Sequence, residues 1–250
     1  MKQTEYISYS SMRLFQKGIY LFLIYKTLAQ YPTLNLLHIY PVFAKVFTFV
    51  LLSFTLLAFF NIKIKVSGFI IWILNLFLTY YLNLGNTSGD YLLSIFLFYF
   101  LFTNYTSKSR SLLNDVMIIA FKTQVILIYL VSSIYKLLDP HWLQGNAILL
   151  TMPVSQFNAL PFLSFPSFIY VIINYVSMVY QLLFPLVIWF RKLKIIFLMI
   201  GVLIHLGISF VMGLFEFGII MILAYLPFID KKMFNLFFQK VGPNNNFSKA

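Results

Sequence analysis

The sequence contains no cysteine, three histidines and only six acidic residues among 250. Without cysteine there is no disulfide framework, no thiol redox chemistry and no thiolate-held metal. With so few histidines and carboxylates, no metal site is expected. Charged residues make up 10% of the chain against 61% hydrophobic ones. A soluble domain needs more charge than that to cover its surface. No stretch is polar enough to form one. The first thirteen residues, MKQTEYISYSSMR, are polar, and no small-residue cleavage pattern follows the first apolar run. An uncleaved membrane anchor is therefore expected rather than a signal peptide.

What the chain has in abundance is apolar and aromatic surface, with 30 Phe, 17 Tyr and 3 Trp. Phe suits a lipid-facing wall, whereas Tyr and Trp suit the headgroup boundary. Eight hydrophobic spans are read, at roughly 14–31, 41–60, 66–84, 90–106, 115–137, 167–190, 195–213 and 214–229. The first is the weakest, because Lys26 interrupts it; the last two join near Gly213 in a tight hairpin. The expected fold is an all-α integral membrane protein with eight transmembrane helices in one bundle. Residues 1–230 form its single domain, and 231–250 a short polar cytoplasmic tail. No internal repeat is found.

The net charge of +12 does not point to nucleic acid, because the basic residues are scattered over short gaps between apolar runs. Fourteen of the eighteen Lys and Arg residues fall in the N-terminus, the tail and alternate loops: Lys2, Arg13, Lys17, Lys63, Lys65, Lys108, Arg110, Arg191, Lys192, Lys194, Lys231, Lys232, Lys240 and Lys249. The intervening loops have none. Excess Lys and Arg mark the cytoplasmic side, which places both termini inside. Four lysines remain inside spans: Lys26, Lys45, Lys122 and Lys136. A lysine at mid-bilayer costs about 2.5–3.5 kcal/mol, so such residues are rare and usually functional. In this topology Lys26, Lys45 and Lys136 share the outer end. They either snorkel to the headgroups or line one outward-opening cavity, with Asp139 or Glu216 near enough to offset the charge.

Span five concentrates the polar chemistry. Asp115, Lys122, Tyr129 and Lys136 recur every seven residues, with Ser133 close by on the wheel. The result is one polar stripe on a greasy helix, which must face other helices or a water-filled cavity. Asp139 lies three residues beyond Lys136, at ion-pair spacing; Pro140 stops the helix, and Trp142 is placed for the interface. The long outer loop 138–166 between spans five and six has four prolines and many apolar residues. It is expected to lie along the outer surface or fold back as a lid. His205, midway through span seven, is either a structural hydrogen-bonding partner or a catalytic group. Glu216 either reaches the outer lysines or stands exposed at a helix start.

The segment YLVSSIYKLLDPHWLQGNAI resembles the signature of the horizontally transferred transmembrane (HTTM) family. That family includes the membrane part of vitamin K-dependent gamma-glutamyl carboxylase. The run IHLGISFVMGLFEFGIIMILAYLPFI is similar to a later family segment, and NLGNTSGDYLLSIFLFYFLF is a weaker third match. Together they cover most of residues 80–230 in the family's order.

By that resemblance Lys136 takes the place of the lysine regarded as the active-site base, and a reduced quinone is the implied cofactor. The carboxylase histidine before span four has no counterpart in Thr87-Ser88-Gly89-Asp90. A bacterial branch, which matures secreted sporulation-delaying-type peptide toxins, is closer in size. The implied function is a membrane-embedded enzyme or maturation factor of the bacterial plasma membrane. It acts at the outer face on a peptide or quinone-like substrate, with Lys136 and His205 catalytic. Tyr129, Ser133, Asp139, Trp142, Lys26, Lys45 and Glu216 would shape the pocket. The alternative is a non-catalytic immunity or assembly partner of a membrane-active peptide, in which the stripe on span five is a helix–helix seam.

Overall fold

The computed structural model describes residues 9–31, 41–82, 88–103, 111–152, 159–160 and 165–229. The tail after 229, loop 32–40, the stretch 83–87, Lys108 and Arg110, and Pro153, Phe157, Pro161 and Phe162 lie outside the described residues, as does Lys2. Much of the loop charge used to orient the chain is therefore not placed by the structure.

Among the described residues the fold is all helical. The long helices are α1 (Tyr9–Gln30), α2 (Pro41–Phe59), α3 (Ile64–Leu82), α4 (Ser88–Leu101) and α5 (Leu112–Leu138). Two short ones follow, α6 (Pro140–Leu143) and α7 (Ala147–Thr151). Then come α8 (Ser167–Val187), α9 (Arg191–Phe210), α10 (Phe215–Leu223) and a 3₁₀ turn, Leu226–Phe228. Each of the eight expected apolar stretches overlaps a described helix or, for the last, α10 and its 3₁₀ turn, with 83–84 and 104–106 outside the described residues. Four stretches are long and apolar enough to cross a membrane: Val42–Phe59, Leu112–Leu138, Ser167–Val187 and Lys192–Phe210. The apolar helices Ile64–Tyr80, Ser88–Leu101 and Phe215–Phe228 are shorter.

Local sequence sets the ends of these elements. Ser111 caps α5 by accepting a hydrogen bond from the Asn114 N–H, with Asp115 in the first turn and Lys136 in the last. Pro140 cannot continue α5; it starts α6 instead, with Asp139 as the cap. Gly213, at φ 71°, turns the chain between α9 and α10, a left-handed conformation that glycine adopts without strain.

The surface is apolar. In an 18-residue apolar window of each of the four long apolar helices only 22–28% of residues are buried. Their outward residues include Phe168, Ile172, Leu186, Leu193, Met199 and Leu203. Exposed greasy faces of this extent suit a hydrocarbon solvent and would aggregate in water. Four apolar helices with such faces are compatible with a membrane location.

The core inverts the hydropathy order. α1, the least apolar long helix, buries Ser11, Gln16, Lys26 and Thr27 beside Met12, Phe15, Ile19 and Leu23. Phe15 sits among Phe96, Phe100 and Phe121, with ring centroids 5.6, 5.4 and 4.5 Å away. α1 can carry polar groups because protein, not lipid, surrounds them. Lys194, expected in a loop, lies buried in the first turn of α9.

Candidate functional site

α5 buries Asn114, Ile118, Phe121, Val125, Tyr129 and Ser133, a stripe of three- and four-residue steps. The polar residues at seven-residue spacing run along its border, and each meets another part of the chain. Asp115 accepts a hydrogen bond from the Tyr9 hydroxyl at 2.8 Å. Lys122 lies 5.7 Å from the Phe228 ring centre. Tyr129 enters a buried polar network.

In that network the Tyr129 hydroxyl is 2.7 Å from His205 Nε2 on α9. It also bonds the hydroxyl of Tyr225, which in turn lies 3.0 Å from that of Tyr180 on α8. Rings seal the group: the tilted Phe184 ring lies 4.2 Å from that of Tyr129, and Phe217 meets His205 in a T-shaped contact at 5.7 Å. Gly201, one turn before His205, leaves room for the Tyr180 and Tyr225 hydroxyls, which a Cβ there would strike. His205 Nδ1 is buried with no hydrogen-bond partner, so the imidazole keeps one unused polar edge.

Two turns beyond Tyr129, about 10 Å along the helix, stands Lys136. Its ammonium lies 3.8 Å from the centre of the Trp142 ring, a close cation–π contact. Ser133, between Tyr129 and Lys136, is fully buried, and its hydroxyl donates to the Leu130 carbonyl at 2.8 Å. An open groove of about 470 Å³ is lined by Ser132, Tyr135, Lys136, Leu138, Asp139 and Trp142. The expected Lys136–Asp139 ion pair is not formed. Asp139 instead accepts the His141 N–H at 2.8 Å to cap α6, because the helix ends at Leu138 and turns that carboxylate away.

The α6–α7 segment is fastened to α8, which fixes Trp142. Asn174 donates to the Trp142 carbonyl and Tyr175 to that of Leu143, both at 2.9 Å. Trp142 and Leu149 pack with Ile148, Met152, Tyr170, Val211 and Met212 in a small second core. The described part of the segment between α5 and α8 is thus built as helices lying against the bundle.

The structure separates the three outer lysines that were expected to share a cavity. Lys26 does not line the groove; it is buried against Asp90 of α4 and Glu216 of α10, with Glu216 Oε2 at 2.8 Å. Lys45 is half-buried on α2 and makes no ion pair among the described residues. Of the residues singled out from sequence, Tyr129 and His205 meet, as do Lys136, Asp139 and Trp142, and as do Lys26 and Glu216. Asp90, Tyr180 and Tyr225 were missed. Asp90 carried a signal, as the acidic residue at the start of span four; the two tyrosines carried none.

The described residues form an all-helical fold with four helices long and apolar enough to cross a membrane, a buried Tyr–His network and, two turns further along α5, a lysine-bearing groove. No protein-family model, curated protein or solved structure matches the chain.

Proposed function

We propose that the chain is an HTTM-like membrane enzyme or maturation factor that uses Lys136 as its base in the groove beside Trp142. All eight helical segments would cross or enter a bacterial plasma membrane, with residues 1–230 as one domain and both termini in the cytoplasm. The shorter helices would sit where neighbouring helices shield their ends. The groove would then open at the outer face toward a peptide or a quinone-like molecule.

One observation carries the reading: Lys136 faces an open groove and rests on the Trp142 ring, while Asp139, the carboxylate that lines the same groove, caps α6 instead of pairing with it. A lysine serves as a base only while unprotonated, and a close carboxylate would hold its proton. The ring faces of Trp142 and Tyr135, with Leu138, offer a surface for a flat hydrophobic ring. A reduced quinone bound there would supply the reducing chemistry, and Lys136 would accept a proton from its substrate. The Tyr129–His205 pair lies deeper on the same helix face and would steady α5 against α9.

The test is Lys136→Arg in cells that co-express a small secreted peptide as the candidate substrate. Arginine keeps the charge and the contact with Trp142 but does not give up its proton. The expected outcome is normal membrane level and loss of the matured peptide by mass spectrometry. Full maturation with Arg would remove the catalytic role and leave the binding or assembly reading. That second reading draws on Asp115 and Lys122, which are already engaged by Tyr9 and Phe228 as in a helix–helix seam.

A further inference from the structure

We propose that Lys26, Asp90 and Glu216 form a proton-binding site in which Glu216 carries the proton and Lys26–Asp90 is the ion pair. The three side chains come from α1, α4 and α10 and meet at one end of the bundle. Their side chains are 6%, 10% and 25% exposed, so Glu216 is the member nearest solvent. Lys26 donates to both carboxyl groups, to Asp90 in the closest contact and to Glu216 Oε2 at 2.8 Å. Asp90 and Glu216 are therefore brought together on one ammonium.

Charge balance decides the protonation pattern. One ammonium cannot neutralise two carboxylates that both bind it, and like charges sharing a site do not both ionise. With the proton on Glu216, every group is satisfied. Its O–H donates to Asp90, its carbonyl oxygen accepts from Lys26, and the trio is neutral. Asp90 sits in the first turn of α4 and Glu216 in that of α10. Both helix ends favour negative charge, but that effect is weaker than direct contact between two unit charges.

Among the described residues, Lys26 pairs at this junction with Asp90 and Glu216. From α1 the Tyr25 ring packs on Phe215 at 5.5 Å, and His205 of α9 is screened by the Phe217 ring. The helices are pressed together here: a Cβ on Gly89 would come within 2.8 Å of the Phe217 backbone nitrogen. Loss of the proton places a second negative charge in this tight junction. The site therefore ties proton uptake to the seating of α10, the helix that leads into Tyr225. This holds whether or not Lys136 is a base.

The experiment is infrared spectroscopy of the full chain in lipid nanodiscs at neutral pH. With only six acidic side chains in the sequence, a carboxylic-acid C=O band is assignable by difference. The wild type should show such a band, and Glu216→Gln should lose it while keeping its melting temperature, since Gln mimics the neutral acid. Asp90→Asn should also lose it, because Glu216 must then ionise as the sole counter-ion of Lys26; this variant serves if Glu216→Gln does not insert. A wild type without the band, or a band unchanged in the variant that inserts, overturns the proposal.

Discussion

Lys26 and Lys136 are the same residue type near the ends of two helices, yet their surroundings are opposite. Lys26 is almost fully buried and held by two carboxyl groups from two other helices. Lys136 is half-buried, rests on an indole ring and faces a groove. The first arrangement consumes the ammonium's hydrogen-bonding capacity in joining helices. The second leaves it available. The comparison teaches that an intramembrane lysine is not functional by position alone; what matters is whether its neighbours have already claimed it.

Four substitutions sharpen or break that contrast. The largest effect is expected for Lys26→Met, which strips the cation from a buried carboxyl pair and should cost about 3–5 kcal/mol. Denaturant titration in micelles, followed by circular dichroism, measures it. Gly201→Ala comes next, because its methyl meets the Tyr180 and Tyr225 hydroxyls; about 1–3 kcal/mol is expected for such overpacking, read in the same titration. Tyr225→Phe removes the hydroxyl that links Tyr129 to Tyr180 and should cost about 1–3 kcal/mol by leaving buried partners unsatisfied. Nitrogen NMR of labelled His205 should shift at the same time, since its Tyr129 partner is released. The smallest stability effect is expected for Lys136→Met, about 0.5–1 kcal/mol from the lost cation–π contact, although the proposed activity should vanish. Equal destabilisation by Lys26→Met and Lys136→Met would erase the distinction between the two lysines.

The helical segments were legible because each apolar run is bounded by a physical stop. Pro140 ends α5 and Gly213 turns α9 into α10. The seven-residue polar stripe also marked the border of the buried face of α5, where Asp115, Lys122 and Tyr129 find partners on other elements. Which partners these are was not legible. Tyr129 meets Tyr225 across 96 residues, and no local pattern encodes such a pairing. The Lys136–Asp139 pair failed for a related reason. Ion-pair spacing assumes that the helix continues, and Asp139 lies one residue past its end, where capping α6 competes for the carboxylate. α1 was ranked weakest because hydropathy measures fitness for lipid, whereas α1 mostly meets protein.

The contact between Lys26 and Glu216 spans 190 residues of chain, which has a consequence for biosynthesis. At about 5–20 residues per second, roughly 10–40 s separate the synthesis of the two ends of that contact. During that interval α1 is already made while one of its two acidic partners is not. A ribosome that stops before α10 leaves Lys26 with an incomplete set of ligands, a defect that membrane quality control can detect. The arrival of α10 thus certifies α1.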